Sequence, residues 1–429
     1  MPYATETKFF TSDVPGAPAL YADAGAYVAL LDAILVNGYG AAVINQIVVT
    51  DGVAVATTTL GHKFRKWQVA RNTDAGHPGL NGEFRVIAAA GASYTFEVVG
   101  VPNGTYTGGT TMVAPLGFEI TASTVNQRIY RSKDPRRNAV SLFVDDSNTV
   151  SGWNVGTNKA LTQVKMVCDV VAIDSYVTLG TTWWPKSGAV SGTVARPWMV
   201  AGDMLGFYSA VDLVGVGYTI ASNHFMQINT LAAGDQFATM LEGAAPTSAA
   251  ATTLDGVASS GASMTAMTHG YRAIARELSQ LGVNLPMRFL GLGCITQFGN
   301  SSSSPPFGWI QSGGRTPGVS TFQCAALASV NPADSGLVLG EKVLAVHSPT
   351  GATDGANFTA RGVMPGLFSV PAVQSWSMTA SIVESPGGIP GGHLLPLPAC
   401  LGSTYAGYGP GLGTGYVGGY YVDITRNWR

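Results

Sequence analysis

The chain has 429 residues and carries little charge: 23 Lys plus Arg against 25 Asp plus Glu, 11% of the residues and a net charge of −2, where ordinary globular chains have about 25% charged residues. With 46% hydrophobic residues and a mean hydropathy of +0.21, it is too rich in large apolar side chains for a disordered protein. Its near-neutral balance gives neither nucleic acid nor an anionic membrane a broad basic face to bind.

Residues 1–20 read as an extended arm, because Pro15 and Pro18 disfavour helix and nothing beside them alternates cleanly. The start, "MPYATETKFFTSDVPGAP", lacks a basic region followed by an apolar one, so a soluble, unsecreted chain made in the cytoplasm is expected. Phe9, Phe10 and Leu20 lie in this arm with no pattern to bury them, and are expected to pack on a neighbouring subunit. A helix is predicted over 23–36, with Tyr27, Leu30, Leu31, Ile34 and Leu35 on one stripe and Asn37-Gly38 as its stop. These elements form a first region, 1–42.

The period then changes to two. "INQIVVTDGVAVATTT" is a hairpin turning at Asp51-Gly52. A second hairpin follows, with Phe84 and Val86 opposite Arg85, then "AGAS" as a turn, then Tyr94, Phe96 and Val98 opposite Thr95 and Glu97. Residues 43–116 therefore read as a small β-barrel module. The runs "SLFVDD", "QVKMVCDVVAI", "SYVTLGTTWW", "RPWMVAGDMLGFYSA" and "GVGYTIASNHFMQI" continue in strand style. They place an antiparallel β-sandwich-like body at 117–429, interrupted by long loops at 241–268 and 296–320. "HGYRAIARELSQLGV" reads as another helix, and "YYVDITRNWR" as a last strand with Trp428 tucked on the body. The fold class expected is mainly β, with one or two helices.

Charge concentrates in "RIYRSKDPRR", read as a hairpin tip at a subunit contact rather than a phosphate site. Arg128, Arg131, Arg136 and Arg137 are its candidate contact residues, and Trp309 in the 296–320 loop is another. The four cysteines are far apart and the six histidines show no HxH or HExxH spacing, so no metal and no cofactor is expected. Asp145, Asp146 and Asn148 could surround calcium, but a strand-ending Asx turn fits their spacing better. Asp203 and Asp235 sit beside glycines at strand ends, where paired carboxylates could act on a glycan. Trp183, Trp184 and Trp198 are expected to pack in the core. No nucleophile elbow or phosphate-binding glycine loop is present, and an enzyme is not expected.

Several motifs carry a resemblance. Thr11-Ser12-Asp13-Val14-Pro15-Gly16-Ala17-Pro18 followed by "AGAYVALLDAILVNGYG" resembles the start of a group of uncharacterised virion proteins of tailed bacteriophages. The module at 44–114, with "LNGEFRV" and "YTFEVVGVPNGTYTGG", is similar to a small β-domain that recurs in phage particle proteins. "RPWMVAGDMLGFY", "HGYRAIARELSQLG" and "YYVDITRNWR" extend the likeness along the chain. The resemblance implies a multi-copy structural protein located in the virion. Its partners would be copies of itself and other virion proteins, with no nucleic acid and no membrane. The alternative is a glycan-directed receptor-binding tail component or depolymerase, which usually shows β-helix repeats or clustered carboxylates; a period search finds neither.

Overall fold

The computed structural model describes residues 3–147, 160–187, 192–213, 220–231 and 233–243, and, further on, separate strands of the 245–429 region. For several of those later strands only the backbone pairing is described. Among these residues the protein is mainly β, built from antiparallel sheets, with one helix beyond a single turn. No helix among them is long and apolar enough to cross a membrane.

The N-terminal segment corrects the first expectation. Lys8–Thr11 is a strand, paired antiparallel with Trp198–Asp203 in the register Phe9↔Ala201 and Phe10↔Val200. It is one edge of a fourteen-stranded sheet that continues through Gly206–Asp212, His224–Gln227 and Thr239–Gly243 and ends in Val417–Asp423, His393–Leu401 and Val383–Glu384. Four residues are too few to show a period, and the partner strand lies far along the chain. Alternation in the arm therefore could not reveal it.

The helix begins later than predicted, at Ala26–Leu31, and runs into a π-helical turn, Asp32–Asn37, that stops at Gly38 in the left-handed region (φ 79°). Its start has no side-chain cap of its own. Asp146, from the end of strand Ser141–Asp145, supplies one: its Oδ2 accepts the Tyr27 N–H at 2.8 Å and its carbonyl accepts the Gly25 N–H. The helix stripe, Tyr27, Leu30, Leu31, Ile34 and Leu35, is fully buried in the main core. Against it lies one face of a five-stranded sheet, which runs in spatial order Phe118–Ser123, Gln127–Ser132, Ser141–Asp145, Leu161–Ala172 and Ser175–Pro185. Tyr130, Leu142, Val144, Val164, Met166 and Trp184 complete that core.

The small sheet has eight strands. Its axis is Tyr39–Thr50, which pairs through Val43↔Thr110 in its first half. In its second half it pairs with Val53–Thr58 on one side and Gly104–Thr107 on the other. The predicted turn is present: Asp51 (φ 49°) and Gly52 (φ 78°) are both left-handed, the geometry a two-residue hairpin requires. Of Phe84, Tyr94, Phe96 and Val98, expected to be buried, the last three are, and so is Val86; Phe96 is stacked on Tyr94 and tilted against Phe84. Phe84 itself is half-buried, because it lies in the terminal strand Gly82–Arg85.

Three further expectations change. Tyr271–Ala275, inside the predicted second helix, is a strand between Thr239–Gly243 and Asn284–Leu290. Hydrogen bonds to two flanking strands outweigh the helical spacing of its apolar residues. The 241–268 stretch contains a short ladder, Ala245–Pro246 with Leu254–Asp255, and Trp309–Ile310 pairs with Phe322–Gln323 at the end of the other proposed loop. Positions 241–243 close the strand Thr239–Gly243 instead of opening a loop, and the rest of both loops lies outside the described residues. The last strand is Val417–Asp423, and Trp428 packs over Gly366 and Tyr208 as expected.

Candidate interface

The residues expected to reach another subunit are mostly spent within this chain. Phe9, Phe10 and Leu20 are each 0% exposed. Phe10 and Leu20 belong to the main core, and Phe9 to a second core with Met199, Tyr208, Met226 and Leu395. This overturns their assignment as subunit contacts, because the body supplies the cover that a neighbour was expected to provide.

Arg85, placed by alternation on an outer face, is what fastens the arm. It is buried, and its guanidinium donates to the carbonyls of Ala4 (2.6 Å), Thr7 (2.7 Å) and Trp67 (2.7 Å). Burial pulls it down to about 10, opposed by the negative charges of Asp423 and Glu83. Lys8 lies beside it, its pKa lowered by burial and partly restored by Glu83, which takes its ammonium at 2.8 Å. Trp67 completes the clasp. It holds a left-handed backbone (φ 72°), a conformation that costs a bulky residue about 1–3 kcal/mol. Its indole N–H donates to Glu384 at 3.0 Å, and its ring lies 3.6 Å, centroid to centroid, from that of His393, with Tyr3 edge-on to both. The clasp thus joins arm, small sheet and C-terminal strands.

The arginine-rich segment is a hairpin tip only in its second half: residues 133–140 connect two antiparallel strands, and its first half lies within the sheet. Arg128 and Arg131 lie on the strand Gln127–Ser132, which is flanked on both sides. Arg128 pairs with Asp32 at 3.2 Å, Arg131 with Glu119 at 2.7 Å, and Arg136 with Asp134 at 2.6 Å. Arg136 and its neighbour Arg137 are exposed in the turn that follows. Three of the segment's five cations, Arg128, Arg131 and Arg136, are already matched, which weakens its field for phosphate. Trp309 has its backbone pairing described and its side chain outside the described residues.

The carboxylates considered for chemistry also have structural work. Asp145 Oδ1 accepts the Ser147 N–H at 3.0 Å, the expected Asx turn. Asp203 caps the turn at Leu205 and pairs with Arg429 at 3.0 Å, and Asp235 accepts the Phe237 N–H. Trp183, Trp184 and Trp198 are buried. Among the described residues, no three His, Cys, Asp or Glu side chains converge as metal ligands would.

What does face outward is a sheet surface that the alternation already contained. Val48 and Val55 are direct cross-strand partners, and with Val53 each is 38% exposed. Thr105 lies beside Val48, and Thr95 beside Val55. Gln46 and Thr57 form the next cross-strand pair along the same ladder. Glu97, opposite Val53 near one rim, is the single charged side chain among the outward positions of these strands. The signal was legible: "INQIVVT" and "VAVATT" place β-branched residues on both faces, whereas a solvated strand face would carry charge. A scan against protein-family models finds no family that matches this chain, and a search of curated proteins finds no match either.

Proposed function

We propose that this chain is a multi-copy structural protein of a tailed-bacteriophage particle. Its work is to bind copies of itself and neighbouring virion proteins, and its place is the virion. The observation that carries the reading is the outer face of the small sheet, centred on Val48 and Val55 and carrying one charge, Glu97, near its rim. Apolar surface of this kind costs free energy in water and marks an interaction site when it is contiguous. A partner that covers it must itself be poor in charge, because a charge buried there would find no counter-charge. A second copy offers such a surface. A two-fold axis in the plane between two stacked faces, passing near Val48 and Val55, brings neither Glu97 over the other, so the contact is self-compatible.

Size sets the expected strength. Five strands about 4.8 Å apart, presenting residues over about 20 Å, give a footprint of roughly 480 Å² per partner. That is below the roughly 800 Å² of a stable dimer, so one such contact is weak and gains strength through repetition in an assembly. The fine motif resemblances at 11–18, 44–114 and the C-terminus point the same way.

The test is to purify particles from a lysate of the phage that encodes the chain and count its copies by quantitative mass spectrometry. Multiple copies per particle are expected, with incorporation reduced at least tenfold by Val48→Lys/Val55→Lys. Absence from washed particles would overturn the reading.

A further inference from the structure

Behind the helix, Lys186 and Asp146 meet with both side chains 0% exposed. Lys186 directly follows strand Ser175–Pro185 and Asp146 directly follows strand Ser141–Asp145. The strand Leu161–Ala172 runs between them. The Lys186 ammonium contacts Asp146 Oδ1 and donates to the Asp23 carbonyl at 2.6 Å. Two further donors hold the carboxyl: the Thr162 hydroxyl on Oδ1 at 2.7 Å and the Tyr27 N–H on Oδ2 at 2.8 Å. The site therefore contains an amine and a carboxyl in contact, sealed from water and fixed from several directions.

We propose that Lys186 and Asp146 condense after folding into an intramolecular isopeptide bond. In water such a reaction runs backwards, because solvation favours the separated ammonium and carboxylate. In this pocket neither ion is hydrated, and burial pushes the Asp146 acid upward against the opposing pull of Lys186. Transfer of one proton within the pair yields a neutral amine against a neutral acid, the reactive forms. Fixing two such groups in contact replaces a bimolecular encounter with an intramolecular step.

The geometry supplies the remaining parts. Lys186 Nζ attacks Asp146 Cγ, and the negative charge that develops on Oδ2 receives the Tyr27 N–H, a donor already in place. Oδ1 leaves as water, taking its second proton from Nζ, which it already contacts, while the Thr162 hydroxyl donates to it. The new bond joins Nζ to Cγ, the C–O bond is lost, one water is released, and no oxidant or reductant is required. The bond would staple two strands across the one between them and close a segment whose ends are 40 positions apart, which restricts the unfolded chain as a disulfide does. It is independent of what the Val48–Val55 face binds.

Intact-mass spectrometry of the folded full-length protein tests this directly. The mass should fall about 18 Da below that of the sequence, the loss of one water. A protease digest should contain a branched peptide joining Lys186 to Asp146 that survives reduction and boiling in detergent. Lys186→Met should restore the full sequence mass; if that variant does not fold, the wild-type mass and peptide still decide. Full mass in the wild type, or tryptic cleavage after Lys186, would overturn the proposal. A loss of about 18 Da without the branched peptide would indicate a succinimide and would overturn it equally.

Discussion

Phe9-Phe10 in the arm and Val48/Val55 in the first hairpin are both apolar pairs in a chain with little charge, yet the fold treats them oppositely. The arm phenylalanines, which no local pattern could bury, are sealed by a strand that enters the sequence at Trp198. The hairpin valines, whose strands pair locally and in the expected register, are left partly open. Alternation says which residues share a face. Whether that face is covered depends on elements distant in the chain, and only the fold decides it.

The comparison breaks first if the arm is not part of the core. Phe10→Ala should destabilise the protein by about 3–5 kcal/mol, the cost of truncating a fully buried phenylalanine. Phe96→Ala, in the small sheet, should cost the same. Denaturant unfolding measures both. An unchanged midpoint for Phe10→Ala would mean that the arm docks only loosely on the body, restoring the view that it belongs on a neighbour.

Arg85→Met is a sharper probe, since it keeps the bulk and removes the clasp. Three carbonyls then lose a charged donor inside the protein. About 2–3 kcal/mol should be lost, the cost of a charged hydrogen-bond partner removed from buried groups. Hydrogen exchange should quicken at Phe9 and Phe10 well before it does at Tyr94 and Phe96. Equal protection in both places would show that the sheet pairing alone holds the arm.

What could be read in advance follows from the range of the interactions. The Asp51-Gly52 turn, the Tyr94–Val98 alternation and the Gly38 helix stop are local, and each is where the sequence places it. The strand at Tyr271–Ala275 was missed because Tyr271, Ile274 and Ala275 satisfy a helical spacing too, and flanking strands chose between them. Arg85 was misplaced for a related reason: alternation put it on the correct face but could not show that the arm lies over that face. The open valine face was present in the sequence as alternation with a single charged partner, Glu97. The burial of Phe9 and Phe10, which depends on Trp198–Asp203, was not.

A smaller effect comes from pH at the clasp. Burial holds His393 below its ordinary value of 6.5, helped by Lys66 and Arg85 and opposed by Glu384 and Asp423. The unfolded chain then takes up this proton at higher pH than the folded one. Stability is full above about 6.5 and declines as pH falls through the window between 6.5 and the lowered folded value. The imidazole resonance of His393 should titrate below 6.5, and His393→Gln should remove part of the acid-side loss in the thermal midpoint. A folded value above 6.5 would mean that Glu384 dominates, and stability would then rise on acidification.

The smallest expected change in stability belongs to the other half of the comparison. Val48→Lys/Val55→Lys places two charges where the fold leaves the side chains partly in water, and surface changes of this kind usually stay within about 0.5 kcal/mol each. Direct cross-strand lysines repel, which adds a few tenths of a kcal/mol at low salt and less as ions screen them. The thermal midpoint should therefore move far less than it does for Phe10→Ala. Association should respond differently. Sedimentation of the wild type at rising concentration should show weak, reversible self-association, and two lysines on each facing sheet should abolish it through burial of four unpaired charges. A variant as unstable as Phe10→Ala would show that the valines are covered within the monomer. A stable variant that still associates would show that another surface carries the contact.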